Sequence, residues 1–255
     1  MDTQQAVSVV MAAYNASRTI REAIDSVLAQ SVSALELIVV DDCSSDDTAA
    51  IVSAYPDARV RLVRSEKNRG AAASRYAGVE SARYDWVAIL DSDDRWLPDK
   101  LEKQLRLQRQ SGAELVFTGS GFMNADGVPL RGELHVPQRI GYRELLKQNV
   151  ISNSSVLVKK ELFLRYSPRI ENMHEDYACW LGLLRDGHSA AGIDEPLLIY
   201  RLSSDSKSGN KLRSAKMNWN TLRYNGLSAA EAAYYMLWYA ARGLKKYRAL
   251  DAKKS

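Results

Sequence analysis

The stretch AVSVVMAAYNASRTIREAIDSVLAQSVSALELIVVDD, residues 6–42, contains the pattern that indicates the fold class. It begins with a short apolar run containing β-branched residues, which is typical of a strand buried on both faces. Ile20, Ile24, Val27 and Leu28 then recur at the spacing of one helical face. A second apolar run, LELIVVDD, completes the unit. The stretch therefore predicts two parallel strands joined by a helix.

The same alternation continues through residues 1–112. RVRLVRS and WVAILDSDD predict two more strands, and SDDTAAIVSAY, GAAASRYAGVESA and PDKLEKQLRLQRQ predict helices. In open sheets of this kind, ligands bind beyond the carboxyl ends of the strands. We therefore expect one binding site built from the side chains that follow the first, second and fourth strands: Ala13, Tyr14, Asn15, Asp41, Asp42, Asp91, Ser92 and Asp93.

After residue 112 the pattern loosens. ELVFTGSGFM, SNSSVLVKK and EPLLIYRLS predict strands, and NADGVPLRGELHVPQ is expected to be a polar connection. HEDYACWLGLLRDG predicts a helix that ends at Gly187, because glycine suits the position after a helix. NKLRSAKMNWNTLRYN and SAAEAAYYMLWYAARGLKKYR predict two closing helices. We expect one domain over residues 1–200 and a helical extension over residues 201–255.

The composition is that of a soluble globular protein, with 46% hydrophobic and 26% charged residues. No apolar run approaches the roughly 20 residues that span a bilayer, and the N-terminus does not resemble a signal peptide. Cys43 and Cys179 have no metal-ligand spacing and predict no disulfide framework. The cytoplasm is the expected compartment.

Charge is unevenly distributed along the chain. Residues 198–255 contain 12 Lys and Arg against 3 Asp and Glu, a net charge of +9, whereas the first 197 residues contain 23 and 28, a net charge of −5. The basic tail is compatible with nucleic acid, with an anionic membrane, with a phosphate-bearing substrate or with a solvated helical surface. No recognition motif accompanies it, so nucleic acid is the weakest of the four.

The acids in AILDSDDRWLP, residues 88–98, are too close together to be buried in ionised form without a partner. Carboxylates spaced as Asp91 and Asp93 at a strand end can hold a hard divalent cation, which in turn binds diphosphate oxygens. The alternative is structural, with Asp94 capping the next helix and Asp91 forming a turn. Asp41 and Asp42 add acids at the end of a second strand, and this favours metal binding over a structural role for Asp93.

Five segments together resemble the family 2 glycosyltransferases of GT-A fold. They are SVVMAAYNA, VVDDCSSDDT, NRGAAASRYAG, ILDSDDRWLP and HEDYACWLGLLRDG, and they span roughly residues 6–190. YRLSSDSKSGNKLRSAKMNW and the following helix are similar to bacterial members that build surface polysaccharides of the teichuronic acid, O-antigen or capsule type. The resemblance implies a Rossmann-like, mostly parallel sheet flanked by helices. Residues 1–112 would bind the nucleotide and residues 113–200 the acceptor.

The resemblance also implies an activity: transfer of a sugar from a UDP-sugar to an acceptor hydroxyl with Mn²⁺ or Mg²⁺. Tyr14 would lie against the nucleobase, Asp42 would accept from uracil or ribose, and Asp91 would bind ribose. Asp93 would hold the metal, and Asp176 would be the catalytic base. The other implied contacts are Ala13, Asn15, Asp41, Gly70, Arg75 and Ser92 for the nucleotide sugar, and Glu175, Arg201, Ser206 and Lys211 for the diphosphate or acceptor.

Structural alternatives stay open for several of these residues. Asp41 could hold its own loop in an Asx turn, Arg75 could be a surface residue, and Asp176 could complement a helix dipole. A nucleotidyltransferase is the alternative enzyme, although SVVMAAYNAS lacks a glycine-rich basic phosphate loop. A nucleotide-sugar-binding protein without catalysis is the alternative outside enzymes.

The QxxRW motif of processive family members is missing, so the enzyme is expected to be non-processive and to add one sugar each time it binds the acceptor. A single displacement with Asp176 as base would invert the anomeric carbon and give a β-linked product. In the last helix, Tyr235, Leu237, Trp238 and Tyr239 precede a basic cluster, Arg242, Lys245, Lys246 and Arg248. That order suits a helix lying on an anionic membrane beside a lipid-linked acceptor. Packing on the core or dimerisation is the alternative.

Overall fold

The computed structural model describes residues 5–202 and 211–251 of the 255-residue chain. The strands in these residues are β1 (Val7–Ala13), β2 (Leu35–Asp41), β3 (Val60–Arg64), β4 (Trp86–Ile89), β5 (Arg95–Trp96), β6 (Leu115–Met123), β7 (Pro129–Leu134), β8 (Leu157–Lys159) and β9 (Ala190–Arg201). The helices are α1 (Ile20–Leu28), α2 (Thr48–Ser53), α3 (Ala71–Glu80), α4 (Lys100–Ser111), α5 (Tyr142–Lys147), α6 (Lys160–Tyr166), α7 (Glu175–Arg185), α8 (Lys211–Tyr224) and α9 (Ala229–Asp251). A 3₁₀ turn covers Asn153–Ser155.

One sheet contains all of these strands, in the order β3-β2-β1-β4-β8-β6-β9-β5, with β7 paired to the C-terminal half of β6. Strands β1 to β4 run parallel, which confirms the prediction from residues 6–42 and the alternation that follows. Strands β6 and β9 are also parallel, whereas β5, β7 and β8 are antiparallel to their neighbours. The sheet therefore continues from the first half of the chain into the second.

The two faces of the sheet carry separate cores. Alternate residues of a strand point to opposite faces, so Val10 and Val40 belong to one core and Val9 and Val39 to the other. Helices α1, α2 and α4 cover the second face, and α3 and α5 to α9 cover the first. The acidic strand ends lie between these two layers of helices.

Helix α3 lies unusually close to the sheet at Gly78. A Cβ atom at this position would meet the side chain of Val10 and would lie 3.0 Å from Cγ2 of Val40. Because this helix packs directly on β1 and β2, its first turns are held beside the carboxyl ends of those strands. Two predicted site residues, Gly70 and Arg75, are located there.

The predicted elements up to α4 are confirmed, as are α7, α8 and α9. Helix α7 ends at Arg185, and Gly187 has a φ of +90°, as a glycine after a helix should. The segment NADGVPLRGELHVPQ was expected to be only a polar connection, and this is wrong because it contains β7. Helices α5 and α6 were not predicted, and in SNSSVLVKK only Leu157–Lys159 is a strand.

The C-terminal extension packs on the domain. Tyr235 and Met236 contact the core on the α3 face, and the ammonium of Lys147 lies 5.4 Å from the ring centroid of Trp238. Leu237, by contrast, is 71% exposed. The apolar residues predicted to contact a membrane therefore do not share one free face. Tyr235 and Trp238 face the protein, whereas Leu237 faces solvent. The side chains of Arg242, Lys245, Lys246 and Arg248 lie outside those that the structure describes.

None of the helices in residues 5–202 and 211–251 has the length and apolar character needed to cross a membrane.

Candidate active site

The carboxyl ends of β1, β2 and β4 meet at one edge of the sheet, as the sequence predicts. Ala13 of β1 is paired with Asp41 of β2. The N–H of Leu90, which follows β4, donates to the carbonyl of Val10 at 3.1 Å. The polar residues that come next along each segment are thereby brought to the same edge.

Tyr14 projects beyond this edge because Asn15 holds the turn below it. Asn15 adopts a left-handed conformation with φ of 49°. Its side-chain oxygen accepts the N–H of Ser45 at 2.9 Å, and its own N–H donates to the hydroxyl of Ser44 at 2.9 Å. These bonds join the loops after β1 and β2, and they leave Tyr14 52% exposed.

Asp41 and Asp42 have different environments. Asp41 is fully buried and accepts the N–H of Ser44 at 3.3 Å, so the structure favours the alternative in which it holds its own turn. The carboxylate of Asp42 accepts the N–H groups of Arg69 and Gly70, the latter at 2.7 Å. Asp42 thus fixes the loop before α3 and also lines a cavity beside it.

A cavity of about 260 Å³ lies between the end of β1 and the start of α3. We call it the β1–α3 cavity. Gly70 forms part of its wall with a φ of +85°, and any side chain there would run into the carboxylate of Glu171. The complete lining is Ala12, Ala13, Tyr14, Asp42, Asn68, Gly70, Ala71, Ser74 and Glu171. An aromatic ring, small walls and two carboxylates can hold a flat ring that carries an N–H group.

Arg75 joins two of the predicted acids. Its guanidinium donates to Asp91 at 2.7 Å and to Glu175 at 2.5 Å. Burial opposes the charged guanidinium, but the charges of Asp91 and Glu175 outweigh it and raise the pKa of Arg75. The side chain is nearly buried, which contradicts the alternative of a surface residue. Its predicted contact with uracil or phosphate stays a prediction.

The turn after β4 carries three acids, Asp91, Asp93 and Asp94. Burial, followed by the charge of Asp91, raises the pKa of Asp93 to about 6. Asp94 is buried, and burial together with its two acidic neighbours raises the pKa of its carboxyl well above the usual range. One oxygen of Asp94 accepts the N–H of Arg201 at 2.9 Å, which makes Asp94 structural. Ser92, between Asp91 and Asp93, is half-buried.

A second cavity, of about 400 Å³, opens between this turn and the start of α7. We call it the Asp176 cavity. Its acidic side is formed by Asp91, Glu175 and Asp176 together with Arg75. Its remaining lining is His174, the segment 148–154, Ser120, Phe122, Leu134, Tyr200, Leu202 and Met217. Helix α3 lines both cavities, because Ser74 faces the first and Arg75 the second.

Asp176 is in the first turn of α7 with Glu175, after the N-cap residue His174. Burial, followed by the charge of Glu175, raises the pKa of Asp176 to about 6, and His174 and Arg75 oppose this shift. The carboxyl is therefore ionised at neutral pH but remains basic enough to accept a proton. That combination is expected of a general base.

Of the residues predicted for the diphosphate or acceptor, Glu175 is in the Asp176 cavity. Arg201 is not available for phosphate. Its guanidinium donates to the carbonyls of Asp93 and Ala125 and to the carboxylate of Glu22. That prediction is corrected, because all three guanidinium nitrogens are used to hold the protein together. Ser206 and the side chain of Lys211 lie outside the described residues.

Several residues of the site were not predicted, among them Glu171, Ser154 and Tyr200. The hydroxyl of Ser154 accepts the N–H of Asp91 at 3.1 Å, and its carbonyl accepts the indole N–H of Trp96 at 2.7 Å. Tyr200 lines the Asp176 cavity from β9. The motif YR at the end of a predicted strand, immediately before the basic loop, was a signal that could have identified Tyr200.

The architecture is that of the GT-A glycosyltransferases. The crystal structure of S. aureus TarS residues 1–349 in complex with UDP-GlcNAc matches with a TM-score of 0.71 and covers 91% of this chain and 70% of that chain. The sequence identity is 17%, so this likeness concerns the fold alone.

The family follows from the sequence comparisons. The model described as "Glycosyl transferase family 2" matches residues 8–167, and the chain belongs to that family and is a glycosyltransferase. A relative from Bacillus subtilis (strain 168), "Putative teichuronic acid biosynthesis glycosyltransferase TuaG", is 38% identical over 94% of this chain and 96% of its own length. The Escherichia coli protein "UDP-Glc:alpha-D-GlcNAc-diphosphoundecaprenol beta-1,3-glucosyltransferase WfgD" is 35% identical over 97% and 96%. These findings confirm the predicted family, fold and enzyme class.

Proposed function

We propose that this enzyme is an inverting, metal-dependent and non-processive glycosyltransferase. It moves a sugar from a UDP-sugar to an acceptor hydroxyl of a lipid-linked bacterial surface glycan and forms a β-linkage. The observation that carries the proposal is the Asp176 cavity, in which a basic carboxylate shares one space with Asp91 and Glu175.

The nucleotide binds at the β1–α3 cavity. The ring of Tyr14 supplies a stacking surface for uracil. Asp42 and Glu171 offer carboxylate oxygens for a base or ribose donor. The pyrophosphate then extends along the strand edge toward Asp91 and Asp93. WfgD, whose name specifies UDP-glucose, supports a uridine nucleotide.

The residues at the acidic turn fit a divalent cation. Asp93 is half-buried beside another carboxylate, and its pKa is raised to about 6, so positive charge nearby would stabilise its ionised form. Carboxylate oxygen is the ligand that Mg²⁺ and Mn²⁺ prefer, and Mg²⁺ usually takes only one or two protein carboxylates beside phosphate. Within the described residues, no group of three or more potential ligands is assembled, so Asp93 would be the main protein ligand. Bound there, the ion would neutralise charge on the departing diphosphate.

Asp176 accepts the proton of the acceptor hydroxyl as its oxygen attacks the anomeric carbon. Glu175 and Asp91 are the other carboxylates of this cavity, and both form ion pairs with Arg75. This pairing makes them poor nucleophiles for a covalent intermediate. A single displacement therefore inverts the configuration, and an α-linked donor gives a β-linked product.

The acceptor is proposed to be lipid-linked, since WfgD is named for a diphosphoundecaprenol substrate and TuaG for teichuronic acid biosynthesis. The enzyme would then work at the inner face of the plasma membrane, as a peripheral protein. Helix α9 supplies an exposed face that includes Leu237 and Tyr234.

The proposal is tested with purified protein, UDP-glucose, Mn²⁺ and a polyprenyl-diphosphate-linked GlcNAc acceptor. We expect UDP release that EDTA abolishes and, by NMR, a β-linked product. Asp176→Asn should bind UDP-glucose normally and lose roughly 10²- to 10⁴-fold in kcat, as is typical when a general base is removed. Asp186→Asn, at the other end of the same helix, is the matched control and should keep full activity.

An α-linked product, near-normal turnover of Asp176→Asn or activity that survives EDTA would each refute the corresponding part of the proposal. A nucleotidyltransferase would instead release pyrophosphate from UTP and a sugar phosphate. A protein without catalysis would bind the donor and release no UDP.

A further inference from the structure

Tyr200 is near the end of β9, the strand that links the Asp176 cavity to the acidic turn after β4. It lines the Asp176 cavity from the end of β9. The next residue, Arg201, donates its backbone N–H to Asp94 at 2.9 Å and its Nε–H to the carbonyl of Asp93 at 2.8 Å. The end of β9 is thus attached directly to the turn that carries the proposed metal ligand.

The ring of Tyr200 is held in place by Phe122. The two residues are register partners on the parallel strands β6 and β9. Their rings meet edge to face, with centroids 6.5 Å apart and an interplanar angle of 79°. This is one of the preferred geometries of aromatic pairs. Phe122 therefore fixes the direction in which the phenol points.

The hydroxyl of Tyr200 is available to a ligand. Within residues 5–202 and 211–251 this hydroxyl has no hydrogen-bond partner. Its oxygen is also not completely buried, so a ligand can reach it. Burial and the charges of Asp94, Asp91, Asp93 and Asp176, in that order, raise the pKa of Tyr200. The phenol accordingly remains a neutral hydrogen-bond donor among groups that can only accept.

We propose that Tyr200 is a specificity-determining residue whose hydroxyl donates a hydrogen bond to an oxygen of the transferred sugar. The proposal rests on the proposed function, in which the diphosphate lies at Asp93 and the attacking hydroxyl at Asp176. The transferred sugar must lie between these two groups. Tyr200 lines the cavity that contains Asp176, and its neighbour Arg201 is bonded to the turn that carries Asp93. Arg75, the nearby cation, already donates to both Asp91 and Glu175, so Tyr200 supplies a separate donor to this cavity.

The test is Tyr200→Phe, which removes the hydroxyl and keeps the ring against Phe122. A panel of UDP-glucose, UDP-galactose, UDP-GlcNAc and UDP-glucuronate is screened first, and the donor from which the wild-type protein releases UDP fastest is used. Calorimetry with Mn²⁺ then gives Kd for UDP and for that donor. We expect the donor Kd to rise roughly 3- to 10-fold, the usual worth of one hydrogen bond, while the UDP Kd stays unchanged. Tyr55→Phe, which removes a surface hydroxyl bound to Asp25, is the matched control.

Equal weakening of UDP and donor would overturn the proposal, because it would mean a nucleotide contact or a disturbed fold. Unchanged donor affinity would overturn it as well. If the wild-type protein released UDP from no donor of the panel, the proposed function itself would fail, and that result is distinct from the other two.

Discussion

Arg75 is separated by 16 residues from Asp91 and by 100 from Glu175, yet it binds both. The sequence could place each of these residues near the site, because strand ends and motif positions are local properties. It could not show that they bind one another, because pairing across 100 residues depends on where the fold places α7 relative to α3. For the same reason Arg201 was assigned to phosphate, although its partners come from three distant segments. The sequence thus predicted which residues lie near the site, but not which side chains they bind.

Asp176 should set a lower pH limit on turnover. Its pKa is raised to about 6, so the base is ionised above that pH and is lost by protonation below it. We expect kcat, measured with saturating donor and metal, to fall by half near pH 6 and about tenfold for each further pH unit. Asp176→Asn should show low activity that does not change over this range.

Unfolding should not cause that loss. Because folding raises the pKa of Asp176, the folded protein takes up its proton at a higher pH than the unfolded chain does. Protonation of Asp176 between pH 7 and 5 therefore stabilises the fold. The melting temperature, followed over the same pH range, should not decline with kcat. A parallel decline of both would contradict the assignment of Asp176.

At the scale of elements, prediction succeeded where hydrophobic periodicity was strong. The strands β1 to β4 are buried runs, and α1 has a clear apolar face. It failed for β7, whose sequence PLRGEL contains proline and glycine and is mostly exposed. That strand exists because residues 120–123 of β6, which β8 does not pair with, offer it backbone partners, and composition does not reveal this. β5, with two residues, is too short for any periodicity.

Gly78 tests how closely α3 must approach the sheet. Alanine is the better helix former by roughly 1 kcal/mol, but its methyl group would press on Val10 and Val40. We expect Gly78→Ala to lower the free energy of unfolding by about 1–3 kcal/mol, as is typical of overpacking. Urea denaturation measures the change. Glu80→Ala, exposed on the same helix, should stay within about 0.5 kcal/mol, and a more stable Gly78→Ala protein would show that the helix can move away from the sheet.

In the whole molecule, the C-terminal segment differs from the rest in its net charge and in the exposed apolar residues of α9. The segment 198–255 has a net charge of +9, against −5 for the remainder. Within it, α9 packs through Tyr235 and Met236 and leaves Tyr234 and Leu237 exposed, at 52% and 71%. A helix held on a globular body by one face can present the other to an anionic bilayer. Packing and membrane binding are thus compatible in this fold, although the sequence offered them as alternatives.

Vesicle flotation should detect this association. We expect binding to vesicles that contain phosphatidylglycerol and release at high salt, because screening weakens the attraction of basic side chains to anionic lipid. Leu237→Glu should lower the partition coefficient roughly 10-fold or more, since it removes a leucine whose burial contributes about 1.5–3 kcal/mol. Val128→Glu, at an equally apolar site that is 55% exposed after β6, is the matched control and should bind like the wild type. If the wild-type protein stays with the soluble fraction and light scattering shows a dimer that Leu237→Glu dissociates, the exposed face of α9 joins two copies of the enzyme instead.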